Sequence, residues 1–108
     1  MPPSTALGGA QRRYLRGLAN TRKALVHVGE AGITEGVLGA LARALLDHEL
    51  VKVRLREPEE KKAAARELAK RSGAELCGLV GHTVILYKPH PEEPSIELPP
   101  ASRSRGER

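Results

Sequence analysis

The sequence predicts an α/β domain with the element order helix–strand–helix–strand–helix–strand–strand, built on a four-stranded mixed sheet. Three observations lead to this class. The chain has 108 residues, which suits one domain. Apolar residues recur at helical spacing in three segments, and four shorter segments are continuously apolar or alternate. Because the two strand–helix–strand crossovers should be right-handed, we expect the helices on one face of the sheet and solvent on the other.

The first helix is predicted over residues 10–20, where apolar residues recur at intervals of one helical turn. The residues of this apolar face are Tyr14, Leu15, Leu18 and Ala19. A short β-type run follows at 24–28, and a glycine-rich loop separates it from the second helix. This second helix is predicted over 34–48, with Thr34 as its N-cap.

Residues 50–56 alternate between apolar and basic side chains. This pattern predicts a second strand with one buried face and one solvated face. The basic side chains of the solvated face are Lys52, Arg54 and Arg56.

The third helix is predicted over 59–72, with Pro58 suited to its first turn. Its apolar stripe is thin, which indicates a peripheral helix. Two further strands are predicted at 74–80 and 83–88, joined as a hairpin by the turn-prone residues 81–82.

The two ends of the chain differ in composition from the part between them. Residues 1–7 are expected to form a flexible leader. From residue 89 onward, five of the eight prolines stand among charged and small residues, a composition typical of disorder. We therefore expect a folded domain over 8–88 and a proline-rich, largely disordered tail over 89–108.

Positive charge is concentrated in the first half of the chain. The net charge is +5 at pH 7. Residues 1–56 contain nine Lys and Arg against four Asp and Glu, whereas residues 57–108 contain nine of each. A localised positive excess attracts polyanions, which indicates nucleic acid as a partner. On charge alone, the alternative is a soluble basic protein without such a partner.

The cellular compartment is indicated by two features. Cys77 is the single cysteine, so no intrachain disulfide can form, which fits a reducing environment. No segment has the apolar run of a membrane helix, and residues 1–10 lack the pattern of a signal peptide. We therefore expect a cytoplasmic monomer with no membrane partner.

The first candidate binding site is the glycine loop between the first strand and the second helix. It consists of Gly29, Glu30, Ala31 and Gly32. The GxxG spacing also occurs at 36–39 and 78–81, but only the first example lies between a strand and a helix start. Glycines there let the backbone approach a phosphate, while free N–H groups and the helix dipole favour an anion. The alternative is that both glycines only form a tight turn.

The second candidate site is the basic surface of the first helix and the residues that follow it. Its members are Arg12, Arg13, Arg16, Arg22 and Lys23. Guanidinium groups on one element can contact successive phosphates, and no acidic residue lies between Ala10 and Val28 to neutralise them. Lys52 and Arg54 extend the candidate nucleic-acid-binding surface onto the second strand. The alternative is an ordinary solvated face.

No pattern of catalytic or metal-binding residues stands out. Cys77, His82 and Asp47 lack the spacing of a nucleophilic set, and a cysteine in a strand is usually a small core residue. The histidines lack the spacing of zinc ligands. We therefore expect no enzymatic activity, no cofactor and no metal. Base stacking across a sheet is also disfavoured, because Tyr14 and Tyr87 are the only aromatic residues.

Six blocks of sequence follow one another in order along residues 7–98. They are QRRYLRGLA at 11–19, VHVGEAGITEGVL at 26–38, DHELVKVRL at 47–55, GAEL at 73–76, GHTVILYKP at 81–89 and IELP at 96–99. Together they resemble the CRM domain family (chloroplast RNA splicing and ribosome maturation), specifically its single-domain, bacterial YhbY-like members.

The resemblance implies a compact fold similar to the C-terminal domain of translation initiation factor three. It also implies RNA binding through the glycine loop and neighbouring basic residues. The positions that match are Gly29 and Gly32, with Arg12, Arg13, Arg16 and Lys23 around them. Two departures subtract positive charge, because Glu30 and Ala10 stand where the family commonly has basic residues.

Bacterial members of this family associate with precursors of the large ribosomal subunit, and plant relatives assist intron splicing. The resemblance therefore implies a protein that binds ribosomal RNA or pre-ribosomal particles of the large subunit and assists their assembly. The alternative is a ribosome-associated adaptor whose basic face docks an acidic protein.

Overall fold

The computed structural model describes residues 7–56 and 60–99. Seven elements lie within these residues, in the predicted order. They are α1 (Gly9–Ala19), β1 (Val26–Val28), α2 (Glu35–His48), β2 (Leu50–Leu55), α3 (Lys61–Ser72), β3 (Glu75–Val80) and β4 (Thr83–Tyr87). The predicted α/β class is confirmed. Pro58, predicted in the first turn of the third helix, lies outside the described residues.

The four strands form one mixed sheet in the spatial order β1-β2-β4-β3. β1 is parallel to β2, whereas β4 is antiparallel to both β2 and β3. β2 and β3 therefore run in the same direction with β4 between them, and α3 makes the connection across it. Thr34 caps α2 as predicted, because its Oγ1 accepts a hydrogen bond from the Val37 amide at 3.1 Å.

The two crossover helices, α2 and α3, pack on the same face of the sheet, as the handedness rule requires. Their buried side chains are Leu41, Leu45, Ala65 and Leu68. The strand residues that they cover are Val26, Val28, Val51, Val53, Leu55, Val84 and Leu86. None of the helices in the described parts of the chain is long and apolar enough to span a bilayer.

The expectation that all helices share one face is wrong for α1. This helix packs on the opposite face, where Leu15 and Ala19 meet a second buried cluster. The strand residues of this cluster are Leu50, Cys77, Ile85 and Tyr87. Because α1 precedes β1, it belongs to no crossover, and the handedness rule does not constrain it.

The apolar face of α1 is narrower than the sequence pattern indicated. Leu15 and Ala19 are fully buried and Leu18 is half-buried, but Tyr14 is 42% exposed. Successive residues of a helix lie about 100° apart, so a stripe centred on Leu15 leaves Tyr14 at its edge.

Residues 89–99, which we call the C-terminal strap, pack on the folded domain. The prediction of a largely disordered tail is therefore wrong for this first part of 89–108. Ile96 and Leu98 pack against the cluster under α1. Gln11 of α1 donates through Nε2 to the Pro99 carbonyl oxygen at 2.9 Å. Residues 100–108 and 1–6 lie outside the described part of the chain.

The strap is held by the carboxylate of Glu49, which is the buried charged residue between α2 and β2. Its oxygens accept hydrogen bonds from the amides of His90, Ser95 and Ile96 and from the Ser95 hydroxyl, at 2.7 to 3.1 Å. Burial raises the pKa of the Glu49 carboxyl, but these hydrogen bonds outweigh burial and leave the pKa lowered. The folded protein therefore stabilises the charged carboxylate.

Replacing Glu49 with Gln should lower the free energy of unfolding by about 1–3 kcal/mol at pH 7, because the strap amides lose a charged acceptor. Since the pKa is lowered on folding, the carboxylate's contribution is complete above its ordinary value of 4.5 and is lost as the pH falls through the folded value. Urea unfolding of both proteins should therefore show a difference at pH 7 that shrinks below pH 4.5.

Glu93→Gln is the matched control, because Glu93 is an exposed carboxylate of the same strap. Its stability should equal that of the wild type at both pH values. A Glu49→Gln difference that stays constant from neutral to acid pH would contradict the role of the charged carboxylate.

Candidate nucleic-acid interface

The glycine loop forms an exposed turn at the carboxyl end of β1. The Gly32 amide donates to the Gly29 carbonyl oxygen at 3.0 Å, which closes the turn. Gly32 has φ = +81°, a conformation that favours glycine. A Cβ placed on Gly29 or Gly32 would meet no atom within 4 Å, so both positions open onto free space. The loop is therefore accessible to a ligand.

The turn leaves backbone donors available. The amides of Glu30 and Ala31 have no hydrogen-bond acceptor within residues 7–56 and 60–99. The loop leads directly to Thr34 and the amino end of α2, where the helix dipole is positive. Exposed amides beside a helix amino end suit an anion such as phosphate.

The acidic loop residue is paired with a basic one. Glu30 Oε2 lies 3.6 Å from Arg56 Nη2, and both side chains are more than half exposed. An exposed pair of this kind contributes little to stability. Its consequence is electrostatic, because each charge partly cancels the other beside the turn.

An uncovered row of four side chains crosses the sheet next to the loop, on the same face as α1. We call it the open row: His27, Arg54, Thr83 and Val80. Each residue is the register partner of the next, so the row spans all four strands. Arg54 is exposed and has no ion-pair partner in the described chain.

A shallow depression of about 480 Å³ joins the open row to the loop. The residues at its polar rim are His27, Gly29, Arg54, Arg56 and His82. Sequence reasoning selected Gly29 and Arg54 but left out the two histidines and Arg56. Strand alternation was the available signal, since His27 stands between the buried Val26 and Val28.

Arg16 connects α1 to this surface. Its side chain lies over Gly78, where a Cβ would come within 2.6 Å of Arg16 Cδ. Its Nη1 donates to the Cys77 carbonyl oxygen at 2.8 Å. Gly78 and Val80 are two residues apart on β3, so Arg16 and the open row are about 7 Å apart along the strand direction. The α1 arginines and the open row thus form one surface.

The other basic residues predicted on and just after α1 are of two kinds: some side chains hydrogen-bond to a backbone carbonyl, and others make no such contact. Arg12 Nη1 donates to the Leu7 carbonyl oxygen at 2.6 Å, and Arg22 Nη1 donates to that of Leu50 at 3.1 Å. Each guanidinium uses one of its five N–H groups in this way. Arg13 is exposed, and its side chain makes no hydrogen bond or ion pair within the described residues.

Arg22 and Lys23 lie apart from the glycine loop. They precede β1, whereas the loop follows it, which separates Lys23 from Gly29 by roughly 20 Å along an extended chain. They line a separate depression with Leu25 and His48. The structure therefore does not bring these two residues together with the loop.

Lys52 has a structural contact. Its Nζ donates to the carbonyl oxygens of Ala19 and Arg22, at 3.1 and 2.9 Å, just beyond the carboxyl end of α1. The ammonium adds a second donor to the last carbonyl of α1, which also accepts from the Arg22 amide at 3.0 Å, and it complements the negative end of the helix dipole. Lys52 thus holds α1 on the sheet.

The opposite side of the loop is acidic. A second depression lies between the loop and α3, and its carboxylates are those of Glu30, Glu60 and Glu67. A polyanion approaching the loop is therefore favoured on the side of the open row and disfavoured by the carboxylates of this depression, whose lining also includes Arg56.

Cys77 is buried and unreactive. It is 2% exposed, and burial raises the pKa of its thiol to about 12, with a further rise from Glu75 that Arg12 and Arg16 oppose. Since the thiolate is the nucleophile, Cys77 is not suited to catalysis. The described residues also contain no group of three His, Cys, Asp or Glu side chains placed to hold a metal ion.

The fold and this surface define a small α/β domain with an exposed glycine turn beside a basic sheet face. Residues 7–88 match the model of the CRS1/YhbY (CRM) domain family. The chain belongs to this family, as its sequence blocks indicated.

Similar proteins cover most of the chain. An "RNA-binding protein" of Haemophilus influenzae is 36% identical over 97 residues, which are 88% of this chain and 97% of that protein. The "Probable RNA-binding protein YqeI" of Bacillus subtilis is 36% identical over 95 residues, or 86% and 99% of the two chains. The solution structure of SAV1595 from Staphylococcus aureus matches with a TM-score of 0.76 and 32% identity, covering 87% of this chain and all of that one.

The native protein should resist thiol reagents at pH 8, because Cys77 is buried and almost wholly protonated. We expect modification by Ellman's reagent at least about 100-fold slower than in denaturant, where one thiol per chain should react. Cys77→Ala gives the background rate. Rapid labelling of one thiol while circular dichroism remains native would contradict the assignment of Cys77 to the core.

Proposed function

We propose that this protein binds RNA through the sheet face that carries α1, the open row and the glycine loop, and that it assists assembly of the large ribosomal subunit. One observation carries the proposal: unpartnered turn amides and unpaired arginines lie side by side on one exposed face. Backbone N–H groups and guanidinium groups are the donors that contact phosphate oxygens in nucleic-acid complexes.

The arrangement suggests how a sugar–phosphate chain would lie. A phosphate at the glycine loop would meet the amides of Glu30 and Ala31, and the next contacts would come from Arg54 and then Arg16. The acidic depression beside α3 would keep the chain on the side of the open row. Among the described strands, none carries an exposed aromatic side chain, since Tyr87 is buried, and this favours contacts to the backbone over base reading by the sheet.

The relatives support this proposal. Three similar bacterial proteins are named as RNA-binding or probable RNA-binding proteins. The resemblance to YhbY-like members also motivates the large-subunit target. Ribosomal RNA as the partner and an action in subunit assembly are accordingly parts of the proposal.

Affinity for deproteinised large-subunit ribosomal RNA should fall with salt. Contacts to about five phosphates of unpaired RNA predict a slope of log affinity against log salt of roughly −3 to −4. Arg13→Ala combined with Arg54→Ala should weaken binding about tenfold or more and reduce the magnitude of the slope by about 0.7 per lost contact. Filter binding across a potassium chloride series measures both quantities.

Arg13 and Arg54 are suitable probes because neither has a partner among the described residues, whereas Arg12 and Arg16 also hold backbone carbonyls. Arg43→Ala with Arg66→Ala is the control of equal charge change, since both are exposed on the helices of the other face. Equal losses in the two double variants, or binding insensitive to salt, would contradict the proposed surface. Association with ribosomal particles that persists after nuclease digestion would instead favour a protein adaptor.

Replacing Glu30 with Lys should strengthen RNA binding, because it puts a positive charge beside the turn in place of a negative one. We expect an affinity gain of roughly 2- to 5-fold or more at low salt and a steeper salt dependence. Glu92→Lys is the control, since it makes the same charge change on the strap near the opposite end of β2. An unchanged affinity in Glu30→Lys alone would place the RNA away from the loop.

A further inference from the structure

Tyr14 is an exposed aromatic ring on the basic helix. The chain contains two tyrosines, no phenylalanine and no tryptophan. Tyr87 is a core residue with 4% exposure, whereas Tyr14 is 42% exposed. The Tyr14 hydroxyl has no hydrogen-bond partner within the described residues. The hydroxyl and the exposed part of this ring are therefore available to a ligand.

Small residues stand one turn before and three residues after Tyr14 on α1, and part of the ring is exposed. Helical side chains lean toward the amino end, so the ring of Tyr14 lies toward Ala10, and residues one turn later would cover its other side. Gly17 stands in that later position, and a Cβ placed on it would meet no atom within 4 Å. Ala10, one turn earlier, is small and exposed. A planar group can thus approach the ring.

Positive charge stands next to the ring. Arg13 precedes Tyr14 and is exposed, whereas Arg16 lies on the opposite edge of α1, over β3. The helix lies on the same face of the sheet as the open row. A nucleotide at this position would have its base against an aromatic ring and its phosphate within reach of the Arg13 guanidinium.

We propose that Tyr14 is a stacking platform for one unpaired nucleobase of the bound RNA. The inference rests on the proposed RNA binding and names its substrate class: structured RNA with an unpaired segment, as opposed to a continuous duplex. Paired bases inside a helix are already stacked on their neighbours and present only their edges, whereas an unpaired base exposes its faces. Because every base has such a face, one platform selects for an unpaired nucleotide without selecting its sequence.

Tyrosine fluorescence tests the inference directly. The probes are an RNA hairpin with an adenine-rich loop and a blunt duplex of the same stem, each also labelled with fluorescein for anisotropy. Stacking should quench Tyr14 emission when the hairpin binds. Tyr14→Phe leaves Tyr87 as the single fluorophore and corrects for light absorbed by the RNA.

Affinity gives the second readout. Tyr14→Leu should weaken hairpin binding by about 5- to 150-fold and leave duplex binding unchanged, whereas Tyr14→Phe should bind like the wild type. Leucine has a higher helix propensity than tyrosine, so α1 is not weakened by this change. Leu46→Ala is the control for loss of an exposed apolar side chain, since Leu46 lies on α2 across the sheet.

The outcomes separate the two proposals. Two results together support the platform: Tyr14 emission is quenched when the hairpin binds, and only Tyr14→Leu loses affinity, for the hairpin and not for the duplex. Hairpin binding without quenching, or equal losses on hairpin and duplex, overturns the platform and leaves the RNA-binding proposal standing. If anisotropy detects no binding of either RNA by the wild type, RNA binding itself is overturned, and the platform falls with it.

Discussion

The docking of α1 on the second face of the sheet is the contact on which the proposed surface depends. Leu15 and Ala19 bury their side chains there, and each large apolar side chain removed from water contributes about 1.5–3 kcal/mol. Polar contacts then fix the orientation, because Lys52 caps the carboxyl end of α1 and Arg16 holds the carbonyl of Cys77. Without this docking, the arginines of α1 would have no fixed position relative to the glycine loop.

The C-terminal strap makes α1 part of a continuous layer. It contacts α1 through Gln11 and packs Ile96 against the same cluster, while its amides converge on one carboxylate. Glu49 adopts φ = 65°, which costs a non-glycine residue about 1 kcal/mol or more. The hydrogen bonds that four donor groups make to its carboxylate offset this strain. A buried charge at the end of α2 thus supports, through the strap, a helix on the other side of the sheet.

The sequence predicted the elements well because their signals are local, as with the cap at Thr34 and the alternation in β2. The face occupied by α1 depends on contacts between distant segments. One feature of the sequence did indicate that the second face of the sheet is covered: β4 is apolar on both faces. Ile85 and Tyr87 are buried on the side opposite Val84. Likewise, proline-rich composition could not reveal that a distant carboxylate would bind the strap. For the candidate site, the charged residues could be read from the sequence, but their partners could not. Lys52 and Arg54 occupy equivalent positions in the alternating pattern of β2, yet only the Lys52 side chain hydrogen-bonds to α1.

The difference between anchored and free cations bears on how the face would recognise a polyanion. A long cationic side chain that binds a phosphate loses rotamer freedom, and this loss opposes binding. Arg16 has already lost much of its rotamer freedom, because its guanidinium is bound to the Cys77 carbonyl and its aliphatic chain lies over Gly78. Most of its N–H groups remain available. The glycine at 78 is thus as much part of the surface as the arginine, since a side chain there would displace Arg16 from its place beside the open row. Anchored arginines of this kind favour one geometry of the bound chain, whereas mobile ones such as Arg13 add attraction with little selectivity.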